Sequence, residues 1–127
     1  MRLLGAALLM MGATLAAKPA LSVNASALSG TGYPAALSDY GFFADAAAQK
    51  PASGVTPYRL NTPLWSDGAE KLRFVYIPSG QQAKAQGEGL IGLPIGSALI
   101  KTFKMGGRLI ETQIGRASCR ERVYSSV

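Results

Sequence analysis

The chain has 127 residues and a formal net charge of +6, which suits a single domain with a basic balance. It contains no histidine and one cysteine. These counts exclude a histidine-ligated zinc, a histidine general base, an axial histidine for haem, an internal disulfide and a CxxCH haem attachment within this chain.

The first residues have the order of a secretory leader. Arg2 precedes an apolar run from Leu3 to Ala17. The run is shorter than the roughly 20 residues that span a bilayer, but it has the length of a signal-peptide core. The sequence therefore predicts a signal peptide over 1–17, with cleavage as late as Ala27, and a linker over 18–36. It also predicts a periplasmic or secreted protein with no stable membrane span after cleavage.

One short helix is predicted after the linker. Leu37, Tyr40 and Phe43 recur at helical spacing, and Ser38 precedes them as a candidate N-cap. This pattern predicts a helix from Asp39 to Gln49.

A second, single helical turn is predicted farther along the chain. Asp67 is a candidate cap, and Glu70 follows three residues later, as in a capping box.

Three segments then have the composition of β-strands. Leu72–Ile77, Ser97–Phe103 and Arg108–Thr112 are rich in β-branched and aromatic residues and are bounded by turn residues. Gly106 and Gly107 separate the last two, which predicts a hairpin. The expected fold is mainly β with one short N-terminal helix, as a truncated part of a β-sandwich-like domain.

Several motifs have both a structural and a functional interpretation. "GEGLIG", from Gly87 to Gly92, matches a dinucleotide-binding pattern, but a loop that enters a strand is favoured because no helix can follow it. Asp67 and Glu70 could serve acid–base chemistry, although a capping role is favoured. The aromatic residues from Tyr58 to Tyr76 are more often core than a ligand platform. The weak ligand-binding candidates are Tyr58, Trp65, Asp67 and Tyr76, and no residue is assigned to catalysis, a cofactor or a metal.

The order of motifs across the chain carries a family resemblance. "LSDYGFF", "TPYRLNTPLWSDGAEKLRFVYIPSG", "LPIGSALIKTF" and "GRLIET" together resemble a family of exported bacterial proteins often described as dihaem c-type cytochromes or as conserved proteins of unknown function. The resemblance covers Leu37 to Thr112, and its most specific part is Leu60 to Pro78. It implies a β-rich region separate from the haem motifs, so haem would bind only in a C-terminal part outside this chain. The family pattern continues with further strands, which implies a partial domain over 37–113.

The last residues resemble something other than a protein family. "IGRASCRERV", Ile114 to Val123, resembles the in-frame translation of a widely used sequencing-library adapter. This resemblance predicts that 114–127 is a non-native tail, that Cys119 and its neighbouring arginines have no function, and that the chain is disordered from Gly115 onward.

Three functions remain open from the sequence. The first is an exported domain of a c-type-cytochrome-associated protein, with a structural or docking role in electron transfer and periplasmic redox proteins as partners. The second is a cell-envelope module that binds carbohydrate or another ligand through Tyr58, Trp65 and Tyr76. The third is a hydrolase that uses Asp67 and Glu70. No nucleic-acid partner is expected, because the basic residues outside the tail are scattered along the chain.

Overall fold

The computed structural model describes residues 21–87 and 89–118, together with the backbone of 121–124. The predicted signal peptide lies outside these residues. The described elements are α1 (Ala25–Ser29), a 3-10 helix (Leu37–Tyr40), β1 (Phe43–Asp45), β2 (Lys50–Pro51), β3 (Val55–Tyr58), β4 (Glu70–Tyr76), β5 (Lys84–Ala85), β6 (Leu90–Leu93), β7 (Ala98–Met105), β8 (Arg108–Arg116) and β9 (Glu121–Tyr124). No helix in this part of the chain is long and apolar enough to cross a membrane.

The strands form antiparallel sheets, which confirms the predicted mainly β fold with one short helix. β1 pairs with β2, β5–β6–β9 form a second sheet, and the largest sheet has the order β3-β4-β7-β8. The three predicted strands correspond to β4, β7 and β8, although Ile77 and Ser97 lie one residue outside β4 and β7. β7 and β8 pair across the glycine turn, as predicted. Gly106 and Gly107 both have positive φ there, at 55° and 79°, as the tight hairpin requires.

One face of the largest sheet forms the core. Phe74 of β4 lies opposite Ile100 of β7, and both side chains are buried. Thr102, farther along β7, is also fully buried and shares a hydrogen bond with Thr112 of β8 at 2.9 Å between their hydroxyl oxygens. Because side chains alternate along a strand, the residues between these positions project from the opposite face.

The predicted helix from Asp39 to Gln49 is wrong. A 3-10 helix ends at Gly41, which adopts a left-handed conformation with φ of 68°, and β1 begins two residues later. Ser38 is not the N-cap either; Ala36 occupies that position, and its N–H donates to the Asp39 carboxylate at 3.2 Å. The helical spacing was misleading because Phe42 and Phe43 are both buried, and an extended chain can bury them from two sides.

The N-terminal segment covers the apolar face of β4. Leu28 of α1, Tyr40, Phe42 and Phe43 belong to the same buried cluster as Phe74. The Phe43 and Phe74 rings meet edge-on, with centroids 5.2 Å apart, a favourable geometry for aromatic pairs. The segment predicted as a linker contributes α1 to the core.

The end of the described chain is ordered, contrary to the predicted disorder from Gly115 onward. β8 continues to Arg116, Ala117 is buried, and β9 pairs with β6. The Arg116 guanidinium donates to the carbonyl oxygens of Ala27 and Gly32, each at 2.8 Å, and lies 4.1 Å from the centre of the Tyr33 ring. Strand pairing and these contacts hold the segment, whatever the origin of its sequence.

Candidate functional site

A groove lies between β4 and the loop of residues 59–69 that precedes it. It has a volume of about 410 Å³ and is open to solvent along its length. Its walls are formed by Arg59, Leu60, Pro63, Leu64, Trp65, Ser66, Ala69, Glu70, Lys71, Leu72 and Arg73. It therefore combines apolar side chains from the loop with charged side chains from the strand.

The apolar wall of the groove is unusually exposed. Trp65 is 77% exposed and the adjacent Leu64 is 80% exposed. The sequence favoured a core position for the aromatic residues of this region. That interpretation is correct for Phe74, which is buried, but wrong for Trp65, which the 59–69 loop leaves exposed to solvent. Contiguous exposed apolar side chains are typical of interaction sites.

A hydrogen bond from the strand holds this loop. The Lys71 ammonium donates to the Leu64 carbonyl oxygen, and Arg73 donates weakly to the Lys71 carbonyl oxygen at 3.4 Å. Lys71 therefore links the start of β4 to the residue immediately before Trp65.

The predicted cap at Asp67 is wrong. Asp67 and Gly68 have positive φ, at 47° and 80°, and the Ala69 N–H donates to the Ser66 carbonyl at 2.8 Å. These are the features of a type I′ turn, for which Asp-Gly is a preferred pair. The turn leads directly into β4 at Glu70, so no helical turn forms.

The two carboxylates do not form a metal site with their neighbours. The described residues contain no group of three or more metal-ligating side chains. Glu70 lies 3.6 Å from the Lys104 ammonium, and Asp67 is exposed in the turn. The Glu70 carboxylate therefore has a cationic partner, and Asp67 contributes its backbone conformation to the turn.

The two candidate tyrosines lie on opposite faces of the sheet. Tyr58 pairs with Arg73, whereas Tyr76 pairs with Val55 and packs against the buried cluster. Tyr58 thus shares the outer face with the groove-lining Arg73, and Tyr76 does not. Of the four candidate residues, Trp65 lines the groove, and Tyr58 is paired with the groove-lining Arg73.

A cluster of cations on the outer face was not predicted from the sequence. Arg73 lies directly opposite Lys101 of β7, and Lys71 is the next residue of β4 on that face. The Lys101 ammonium lies 4.5 Å from the centre of the Phe103 ring, and Phe103 pairs with Lys71. We call Lys71, Arg73 and Lys101 the cationic cluster. The signal in the sequence was the alternation of Lys71 and Arg73, but Lys101 joins them only through the register of the sheet.

The cationic cluster lacks an internal counter-charge. Within the described residues, no carboxylate lies within salt-bridge distance of any of its members; the ion pair found there is Lys104–Glu70. Glu111 lies on the same face on β8, and it accepts a hydrogen bond from Gln113 at 3.0 Å. Like charges directly opposite each other destabilise a sheet, so this arrangement favours an external anion.

The electrostatic environment changes the titration of two side chains here. Partial desolvation lowers the pKa of Lys71, and the positive charges of Lys101 and Arg73 lower it further. Burial raises the pKa of the Tyr58 phenol, an effect that the nearby Arg73 partly offsets. Tyr58 therefore stays protonated and can act as a hydrogen-bond donor at neutral pH.

Comparison of the chain with protein-family models, with curated proteins and with solved structures found no match. The resemblance to exported c-type-cytochrome-associated proteins therefore stays a prediction, and the function has to be inferred from the geometry of the groove.

Proposed function

We propose that this domain binds a carbohydrate chain in the groove between the 59–69 loop and β4. The observation that carries the proposal is the exposure of Trp65, which is 77% accessible at the edge of the groove and is presented by a loop that Lys71 holds. An indole has a large, rigid apolar face, and the C–H groups of a pyranose ring present a matching flat surface. Arg59, Lys71 and Arg73 also line the groove, and their N–H groups can donate hydrogen bonds to sugar oxygens.

The shape of the groove supports a chain over a compact ligand. It is partly open to solvent, whereas sites for small molecules are usually enclosed enough to bury most of the ligand surface. An oligosaccharide can lie along such a surface with one ring on Trp65 and its neighbours on the polar wall. This is the second of the functions that the sequence left open.

The test uses the single tryptophan as a reporter. Trp65 is the one tryptophan in the chain, so its fluorescence is specific for the groove. Titration with a panel of neutral and acidic oligosaccharides should produce a saturable change for at least one of them. In Trp65→Ala, calorimetry should show binding of that sugar reduced by at least tenfold, whereas Ile95→Ala, which removes an exposed apolar side chain elsewhere, should bind normally. A panel without any saturable binding would rule out the proposal.

The docking role in periplasmic electron transfer, and the exported location, stay predictions from the sequence. The cationic face would suit an acidic protein surface, but the apolar Leu64–Trp65 pair at the groove favours a ligand that stacks. The hydrolase alternative has less support, because Asp67 belongs to a turn and Glu70 to an ion pair.

A further inference from the structure

We infer that the carbohydrate is acidic, a uronic-acid polysaccharide whose carboxylates bind the cationic cluster while a neighbouring ring stacks on Trp65. This inference rests on the proposed function, and it specifies the class of sugar. It draws on the sheet face next to the groove, where Lys101 joins the groove-lining Lys71 and Arg73.

The positive charges of the cationic cluster lie next to the stacking surface of the groove. Arg73 and Lys71 belong both to the groove wall and to the cationic cluster, and Lys101 extends the cluster across the sheet from Arg73. The positive surface is therefore continuous with the stacking surface. A neutral sugar would use the indole and leave the positive charges of the cluster without an anionic partner.

Assembly of the cationic cluster costs free energy, because like charges repel each other. The fold places Arg73 and Lys101 opposite each other, and no carboxylate of the described residues forms an ion pair with either. Desolvation lowers the pKa of Lys71, and the positive charges of Lys101 and Arg73 lower it further. A bound carboxylate would relieve this repulsion and accept charge-assisted hydrogen bonds, which are roughly twice as strong as neutral ones.

Aromatic side chains lie next to the cationic cluster. Tyr58 lies beside Arg73 and stays protonated, so its phenol can donate to the same carboxylate. Phe103 lies next to Lys101 and provides a second aromatic surface on this face. Cations that alternate with aromatic rings fit a ligand that alternates carboxylates with apolar ring faces.

The experiment compares two forms of one polymer. Oligogalacturonate and its methyl ester have the same backbone, but the ester lacks the carboxylate charges. We expect calorimetry to show that the acid binds at least tenfold more tightly than the ester, and that this preference weakens as salt screens the charges. Lys101→Gln should reduce the affinity for the acid about tenfold, Lys101→Arg should retain it, and the exposed Lys84→Gln should have no effect. Thermal unfolding of each variant verifies that it is folded.

The outcomes separate the two proposals. If acid and ester bind equally and both depend on Trp65, carbohydrate binding stands and the acidic class is wrong. If neither polymer binds and the neutral sugars of the panel fail too, both proposals are wrong. If oligothymidylate binds as tightly as oligogalacturonate and competes with it, the surface recognises nucleic acid and the inference is overturned.

Discussion

The Lys71 ammonium donates a hydrogen bond to the carbonyl oxygen of Leu64, the residue that precedes Trp65. A charged group of the sheet thereby fixes the backbone of the loop that presents the indole. Lys71 also belongs to the cationic cluster, so one side chain serves both surfaces of the site. A ligand that engages both would find them already aligned.

Removal of this link should loosen the loop without unfolding the domain. In Lys71→Met the aliphatic stem remains but the donor is lost. We expect little change in the free energy of unfolding, because the interaction is near the surface and the loss of a repelling charge offsets the loss of the hydrogen bond. Time-resolved anisotropy of Trp65 should show faster motion of the indole. Lys84→Met is the matched control, and an unchanged anisotropy in Lys71→Met would contradict the assigned role.

The binding of an acidic sugar should weaken at alkaline pH. Desolvation and the adjacent Lys101 and Arg73 lower the pKa of Lys71 below its ordinary value of 10.5. The cation therefore begins to lose its proton at a lower pH than an exposed lysine, and its attraction for a carboxylate falls as the pH rises through that range. Burial raises the pKa of Tyr58, so its phenol loses its proton at a higher pH than that of an exposed tyrosine.

The same shift affects the stability of the free protein. A lysine with a lowered pKa in the folded state destabilises the fold while it is charged, so its unfavourable contribution disappears as the pH rises toward 10.5.

The pH dependence of binding can be tested with Lys71→Arg. This variant keeps its charge and should lose less affinity for oligogalacturonate between neutral and alkaline pH than the unmodified protein. Equal losses in the two proteins would contradict the role of Lys71 in anion binding.

Gly41 should be difficult to replace. It has φ of 68°, and an added Cβ would lie 2.5 Å from the Ser22 carbonyl oxygen. We expect Gly41→Ala to destabilise the protein by roughly 2–4 kcal/mol, since both the left-handed backbone and the clash oppose the side chain. Gly80→Ala is the control for the backbone effect alone, because Gly80 also has positive φ, at 76°, but has open space around it. Urea denaturation with equal losses for the two variants would show that the close approach to Ser22 is absent.

The leader should be removed during export, and the structure narrows the expected cleavage site. Cleavage at Ala27 would remove Asn24, which caps α1, and half of the helix that places Leu28 in the core. We therefore expect mass spectrometry of the exported product to show loss of residues through Ala16 or Ala17. A product that retains Met1 in the cytosol would contradict the predicted signal peptide.

The strands could be predicted because the composition of each run and the turn residues that bound it both indicate a strand. Runs such as "LRFVYI" and "SALIKTF" are rich in β-branched and aromatic residues, and glycine or proline turns bound them. The region around Phe42 could not be predicted in the same way. The helical spacing of its apolar residues does not predict its structure, because the helix ends at Gly41. Phe43 then packs against Phe74, which is distant in the sequence.

The candidate site was predictable only in part. Trp65 and Tyr58 were identified as possible ligand-binding residues, but their exposure depends on how the 59–69 loop lies against β4. The cationic cluster was missed because Lys101 is distant from Arg73 in sequence and meets it through strand register. A charge pattern read along the chain therefore underestimates a charge cluster that forms across a sheet.

The most direct test of the account is a map of the ligand contacts by nuclear magnetic resonance. A ¹⁵N-labelled sample should be titrated with trigalacturonate, and the Trp65 indole N–H and the backbone amides of residues 64–73 and 101 followed. If the sugar binds as proposed, the chemical shifts at these positions should change saturably. The shifts of the separate groove that contains Lys84 and Ile95 should stay unchanged. Shifts confined to that second groove, or a Trp65 indole resonance that stays unchanged at saturating sugar, would contradict it.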